Sequence, residues 1–129
     1  RDQGEDVYQS ERALRIGRYN PDVEKGNRLL EDGKLFEAMT IFLKVVEAEP
    51  NADAYCGLGI VSYYQKRYED AFSLFVESLK HNPTSVDTFR NLLDAARESG
   101  KMDTAKKIYA LYAKEFPFLE SLAPEFENA

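Results

Sequence analysis

Apolar positions recur along this chain in blocks with helical spacing. Leu35, Ala38, Met39, Ile41, Phe42, Val45 and Val46 form a stripe wide enough to face two neighbours, and they predict a helix over about 35–48. Ahead of that block, Asn20 offers an N-cap acceptor. Pro21 follows it, and its missing donor costs nothing at a helix start, so a helix is expected over about 21–32. Gly33 then stands where the turn to the next helix needs a positive φ. The same grammar returns twice. Asn51 to Asp53 open a helix reaching about Gln65, and Thr84 and Ser85 open one reaching Ser99. Gly100 occupies the slot of Gly33, whereas the middle copy has Lys66 there, so that turn is expected to be slightly strained or differently shaped.

The recurrence has a period. Ala38, Ala71 and Ala105 are separated by 33 and 34 residues, and Pro50, Pro83 and Pro117 take the same two steps. Gly26 and Gly59 lie twelve residues before the first two of those alanines. Tyr55, Leu58, Tyr63, Tyr68, Phe75 and Leu79 complete the middle unit, and matching apolar residues, Phe42 and Tyr109 among them, complete the outer two.

A period near 34 with a small residue before the central alanine and a closing proline resembles the tetratricopeptide repeat (TPR). The resemblance covers residues 19–119 as copies at about 19–51, 52–85 and 86–119. It implies an all-α fold: a right-handed superhelical stack of three helix hairpins, six helices in all, with short terminal extensions. Gly26 and Gly59 would allow the two helices of a hairpin to approach closely, with Ala38 and Ala71 opposite. In the third copy Leu93 replaces the glycine and Tyr112 precedes Ala113, so that hairpin is expected to cross at a different spacing.

The ends are less regular. Residues 1–18 alternate acidic and basic side chains with few aliphatic ones, and are expected to be either a linker or a partial capping helix. In the tail, 120–129, and just before it, Phe118, Leu119, Leu122 and Phe126 are apolar while Pro124 limits any helix to a turn or two. Those side chains either fold back on the third repeat, the simpler outcome, or stand exposed for another molecule, including self-association through the tail or an open terminal repeat.

Composition narrows the class. With 129 residues, 43% hydrophobic and 31% charged, the chain has the make-up of one folded domain, too apolar for disorder. Its net charge of −6 repels phosphate backbones and argues against nucleic acid. No apolar run approaches the roughly eighteen residues needed to span a bilayer. The single cysteine, Cys56, rules out an internal disulfide and fits a reducing compartment, so a cytoplasmic location is expected. The sequence starts at Arg1 rather than methionine, which is expected of a piece cut from a longer chain.

Catalytic chemistry finds little support. One histidine and one cysteine, with no motif around either, provide no nucleophile and base pair. They also fall short of the ligands a zinc site needs. His81 is expected to cap a helix C-terminus, and Cys56 to pack as a small residue. Gly57 and Gly59 are a helix-packing feature rather than a phosphate loop, because Ser62 replaces the third glycine. No catalytic residue, metal or cofactor is therefore expected.

The resemblance implies that the first helix of each hairpin lines a concave groove. Its ligand-contacting slots map here onto Asn27, Glu31, Ile60, Tyr63, Tyr64, Arg90, Asp94 and Arg97 as candidate peptide-binding residues, with Asp53, Cys56, Gly57, Asp87 and Asn91 in neighbouring slots. Members of the family that grip chaperone C-terminal carboxylates would need basic residues at Val23, Asp87 and Asn91 and an asparagine at Gly57. Only Asn27 matches. The expected function is non-catalytic protein–protein binding by a scaffold or assembly module that holds a peptide or helix. The alternative is an accessory domain of a larger enzyme. Tyr63 and Tyr64 are expected at the groove centre, with a partner carboxylate near Arg97; alternatively Tyr63 packs between repeats and leaves Tyr64 and Arg97 as the binding residues.

Overall fold

In the computed structural model, which describes residues 19–128, the Asn20 side chain accepts a hydrogen bond from the Asp22 N–H at 2.9 Å and opens helix α1 (Pro21–Glu31). Five long helices follow: α2 (Leu35–Ala48), α3 (Ala52–Tyr64), α4 (Tyr68–His81), α5 (Val86–Ser99) and α6 (Met102–Glu115). Asn51 caps α3 by accepting from the Ala54 N–H, and Ser85 caps α5 by accepting from Thr88. Among the described residues there is no strand. The extension expected as a linker or cap over 1–18 lies outside the described residues.

The three intra-hairpin turns share one geometry. Gly33 and Gly100 have φ of 76° and 73°, and Lys66 adopts φ 63° in the same slot. In each turn the next residue's N–H reaches back six positions, counting both ends: Lys34 to Leu29, Arg67 to Ser62, and Lys101 to Ala96. The strain expected at Lys66 is therefore real, since a β-carbon disfavours the left-handed region.

Consecutive helices pack against one another, and α1, α3 and α5 also touch in series, so the first helix of each hairpin lies beside the next. The middle helix α3 shows what that position demands. Ala52, Ala54, Gly57, Leu58, Gly59, Val61 and Ser62 are all buried, spread around the helix rather than along one stripe, because α3 has neighbours on several sides. Phe42 is central to the first interface, where a β-carbon built at Gly26 would lie 2.6 Å from its ring and one at Gly57 2.5 Å. Phe75 holds the equivalent place against Gly59, also at 2.5 Å. The glycines thus accommodate aromatic rings from the second helices, a closer fit than opposition to Ala38 and Ala71 alone. In the third hairpin, with Leu93, the helices approach less closely, as the sequence implies.

The tail folds back. A 3₁₀ segment (Pro117–Leu122) and a short helix α7 (Ala123–Glu127) bury Leu119, Leu122 and Phe126 against the third hairpin. Phe126 stacks on Tyr109 with ring centroids 4.4 Å apart and meets Phe89 edge-on at 6.3 Å. The Tyr109 hydroxyl donates to the Leu119 carbonyl at 2.9 Å. Phe118 alone of the four stays on the surface. The apolar core divides in two: one cluster joins the first and second repeats, and the other joins the second, the third and the tail. Across the second repeat, the buried Ser78 hydroxyl ties α4 to the start of α3 by donating to the Ala52 carbonyl at 2.8 Å.

Candidate peptide-binding groove

Two concavities lie along the face formed by α1, α3 and α5. The upper one, about 170 Å³, is lined by Ile60, Tyr63, Tyr64, Phe75, Asn91 and Asp94. The lower one, about 500 Å³, is lined by Asn27, Asp53, Cys56, Gly57, Ile60, Ser85, Asp87, Thr88, Arg90 and Asn91. Ile60 and Asn91 border both, so the two concavities adjoin.

Helix periodicity explains the sharing. Asp53, Ile60 and Tyr64 recur along one face of α3, as Asp87, Asn91 and Asp94 do along α5. Tyr63 is partly buried and meets Tyr64 and Tyr68 edge-on at 6.5 and 5.1 Å, so it packs within the stack and lines the upper chamber at once. Tyr64 is 63% exposed. Of the eight residues expected in the groove, Ile60, Tyr63, Tyr64 and Asp94 come together in the upper chamber, and Asn27, Ile60 and Arg90 in the lower. Glu31 and Arg97 line neither chamber.

The two arginines are engaged. Arg90 Nε and Nη2 donate to the Glu125 carboxylate of α7 at 3.0 and 3.2 Å, and this fork pushes the Arg90 pKa upward. Arg97 pairs with Asp94 at 3.0 Å, three residues back on its own helix. The expected position of a partner carboxylate near Arg97 is thus already answered by Asp94.

Phe75, Ser85 and Thr88 were not legible as lining residues. Phe75 is a core residue that reaches the groove floor because Gly59 lets its ring approach, a signal that was present in the sequence as the paired slots. Cys56 is held between α3 and α5, with the Thr88 hydroxyl 3.6 Å and the Asn91 amide 3.7 Å from its sulfur. Burial raises its thiol pKa, consistent with packing rather than nucleophilic use. His81 stacks on Tyr55 at 5.6 Å, so its ring ties the end of α4 to α3 besides standing at a helix terminus. Desolvation in the concavity moves the Asp53 carboxyl upward from its ordinary 3.8. Among the described residues no group of three or more His, Cys, Asp or Glu could hold a metal ion, and no helix is long and apolar enough to cross a membrane.

This architecture, stacked antiparallel helix pairs with a groove along their first helices, is that of a helical repeat domain. Residues 52–85 match the tetratricopeptide repeat family. With the flanking hairpins built on the same plan, the chain has the fold of a tetratricopeptide repeat domain. Among solved structures it is similar to the second TPR domain of the human RPAP3 protein, determined by NMR in complex with the HSP70 peptide SGPTIEEVD. The likeness has a TM-score of 0.66 at 17% identity and covers 92% of this chain and 95% of that one. At that identity it speaks for the fold. No curated protein matches the chain.

Proposed function

We propose that this chain is a non-catalytic protein-interaction module, a scaffold or assembly component that holds a peptide or helix of a partner in the concave groove. The observation that carries the reading is the pair of adjoining concavities along α3 and α5, one of them lined by the well-exposed Tyr64. Large rigid aromatics deliver contact area at little entropic cost and often dominate binding energy. The structural neighbour, itself a TPR domain, was solved with a peptide bound, which supports the same mode of action here.

Affinity capture from a lysate, with the parent chain against a Tyr64→Ala, Ile60→Ser variant, tests it. Partners lost with the variant while its helicity is retained support the groove. Partners captured equally by both move the binding surface elsewhere, to the convex cleft lined by Met39, Leu43 and Leu74 or to the tail.

A further inference from the structure

The charge carried by the concave face decides what kind of peptide it can accept. The groove candidates on α1, α3 and α5 and the residues in the neighbouring slots hold four carboxylates, Glu31, Asp53, Asp87 and Asp94, and two guanidiniums, Arg90 and Arg97. Both guanidiniums are already bound to carboxylates, Arg90 to Glu125 of the tail and Arg97 to Asp94. Both Asp53 and Asp87 line the lower chamber; among the described residues neither makes an ion pair within 4 Å, and Asp87 adds to the hold of Glu125 on the Arg90 guanidinium. That chamber therefore presents negative potential, and its Arg90 is neutralised from outside by α7. The upper chamber is different: Ile60, Tyr63, Tyr64 and Phe75 give it an apolar, aromatic wall.

We infer that the groove selects a short extended peptide that sets a lysine or arginine beside Asp53 and Asp87 and an aromatic or branched aliphatic side chain against Ile60 and Tyr64. This rests on the peptide-binding reading above and adds the partner's chemistry to it. The spacing follows from the helix. Asp53 and Tyr64 are eleven residues apart on α3, about 16.5 Å at 1.5 Å per residue, which an extended chain at about 3.3 Å per residue spans in roughly five residues. Complementary charge accelerates encounter and fixes register, and a carboxylate in the same place meets like charge. A peptide such as SGPTIEEVD, with its paired glutamates and terminal aspartate, is the wrong sign for this face.

Selection of random twelve-residue peptides displayed on phage against the 129-residue chain tests this. Winning sequences are made synthetically, each with a charge-reversed counterpart, and titrated by fluorescence anisotropy beside SGPTIEEVD. The expected winners carry Lys or Arg about five positions from an aromatic or aliphatic residue. They are expected to lose at least tenfold in affinity to Asp53→Asn, Asp87→Asn protein and, independently, to Tyr64→Ala protein, and to weaken as salt is raised. Winners that are acidic or neutral, and are lost with Tyr64→Ala but not with the aspartate changes, overturn the charge reading while the groove stands. Winners indifferent to all three substitutions, or no winners at all, overturn the groove reading itself. If the double aspartate variant melts early, the charge-reversed peptides make the same comparison on the parent protein: equal binding of a peptide and its reversed form overturns the inference.

Discussion

Phe42 fills the space that a side chain at Gly57 would need: a β-carbon there would stand 2.5 Å from the ring. Phe42 belongs to the second helix of the first repeat and Gly57 to the first helix of the second, so one ring seals the joint between repeats. The same contact means that no asparagine fits at 57 without moving the joint. Gly57→Ala is expected to destabilise by about 1–3 kcal/mol from overpacking, even though alanine is the better helix former by about 1 kcal/mol. Urea unfolding monitored by circular dichroism measures it, and a variant as stable as the parent would show that the Phe42 ring can step aside.

Lys66 carries the left-handed turn that glycine carries in the other two repeats. Lys66→Gly is expected to raise stability by about 0.5–1 kcal/mol, the relief of a left-handed β-carbon less the added freedom of glycine in the unfolded chain. A fall in melting temperature for this variant would mean that the turn is unstrained.

Phe126 and Phe118 sit eight residues apart in the tail, one 1% exposed and the other 55%. Phe126→Ala is expected to cost about 3–5 kcal/mol through the lost stack on Tyr109 and the cavity left behind. Phe118→Ala is expected to change stability by under about 0.5 kcal/mol. Equal effects of the two in thermal melts would contradict the folded-back tail.

Glu125 holds α7 to α5 through Arg90. With Glu125→Gln, amide exchange across 123–128 is expected to accelerate while the melting temperature stays close to that of the parent, because Phe126 remains anchored. Hydrogen-exchange mass spectrometry reads this, and unchanged exchange would assign the tail's order to its apolar contacts alone.

Tyr64 and Arg97 are surface residues, so Tyr64→Ala with Arg97→Ala is expected to alter stability by under about 0.5 kcal/mol. Affinity for a captured partner is expected to fall at least tenfold, about 1.4 kcal/mol. Since Arg97 is paired with Asp94, most of that loss is expected from Tyr64, which the two single variants would separate by titration calorimetry.

The sequence by itself determined the repeat, because the features that make it are local or strictly periodic. Asn20, Asn51 and Ser85 announce helix starts through their own side chains, and Gly33 and Gly100 announce turns through the φ they permit. The same periodicity set Ile60, Tyr63 and Tyr64 together on α3, since residues three and four apart on a helix share a side, and the resemblance to the tetratricopeptide repeat set Asp94 of α5 among the same candidates. Tertiary structure decided what periodicity does not encode. Which ring lies against Gly57 depends on how adjacent repeats pack, and whether the tail caps the stack depends on Tyr109 and Phe89 offering Phe126 a surface. The charge state of the groove was hidden for the same reason. Arg90 is one groove candidate among others in a linear reading, and only the return of the chain over 35 residues brings Glu125 to its guanidinium beside Asp53 and Asp87 in the lower chamber.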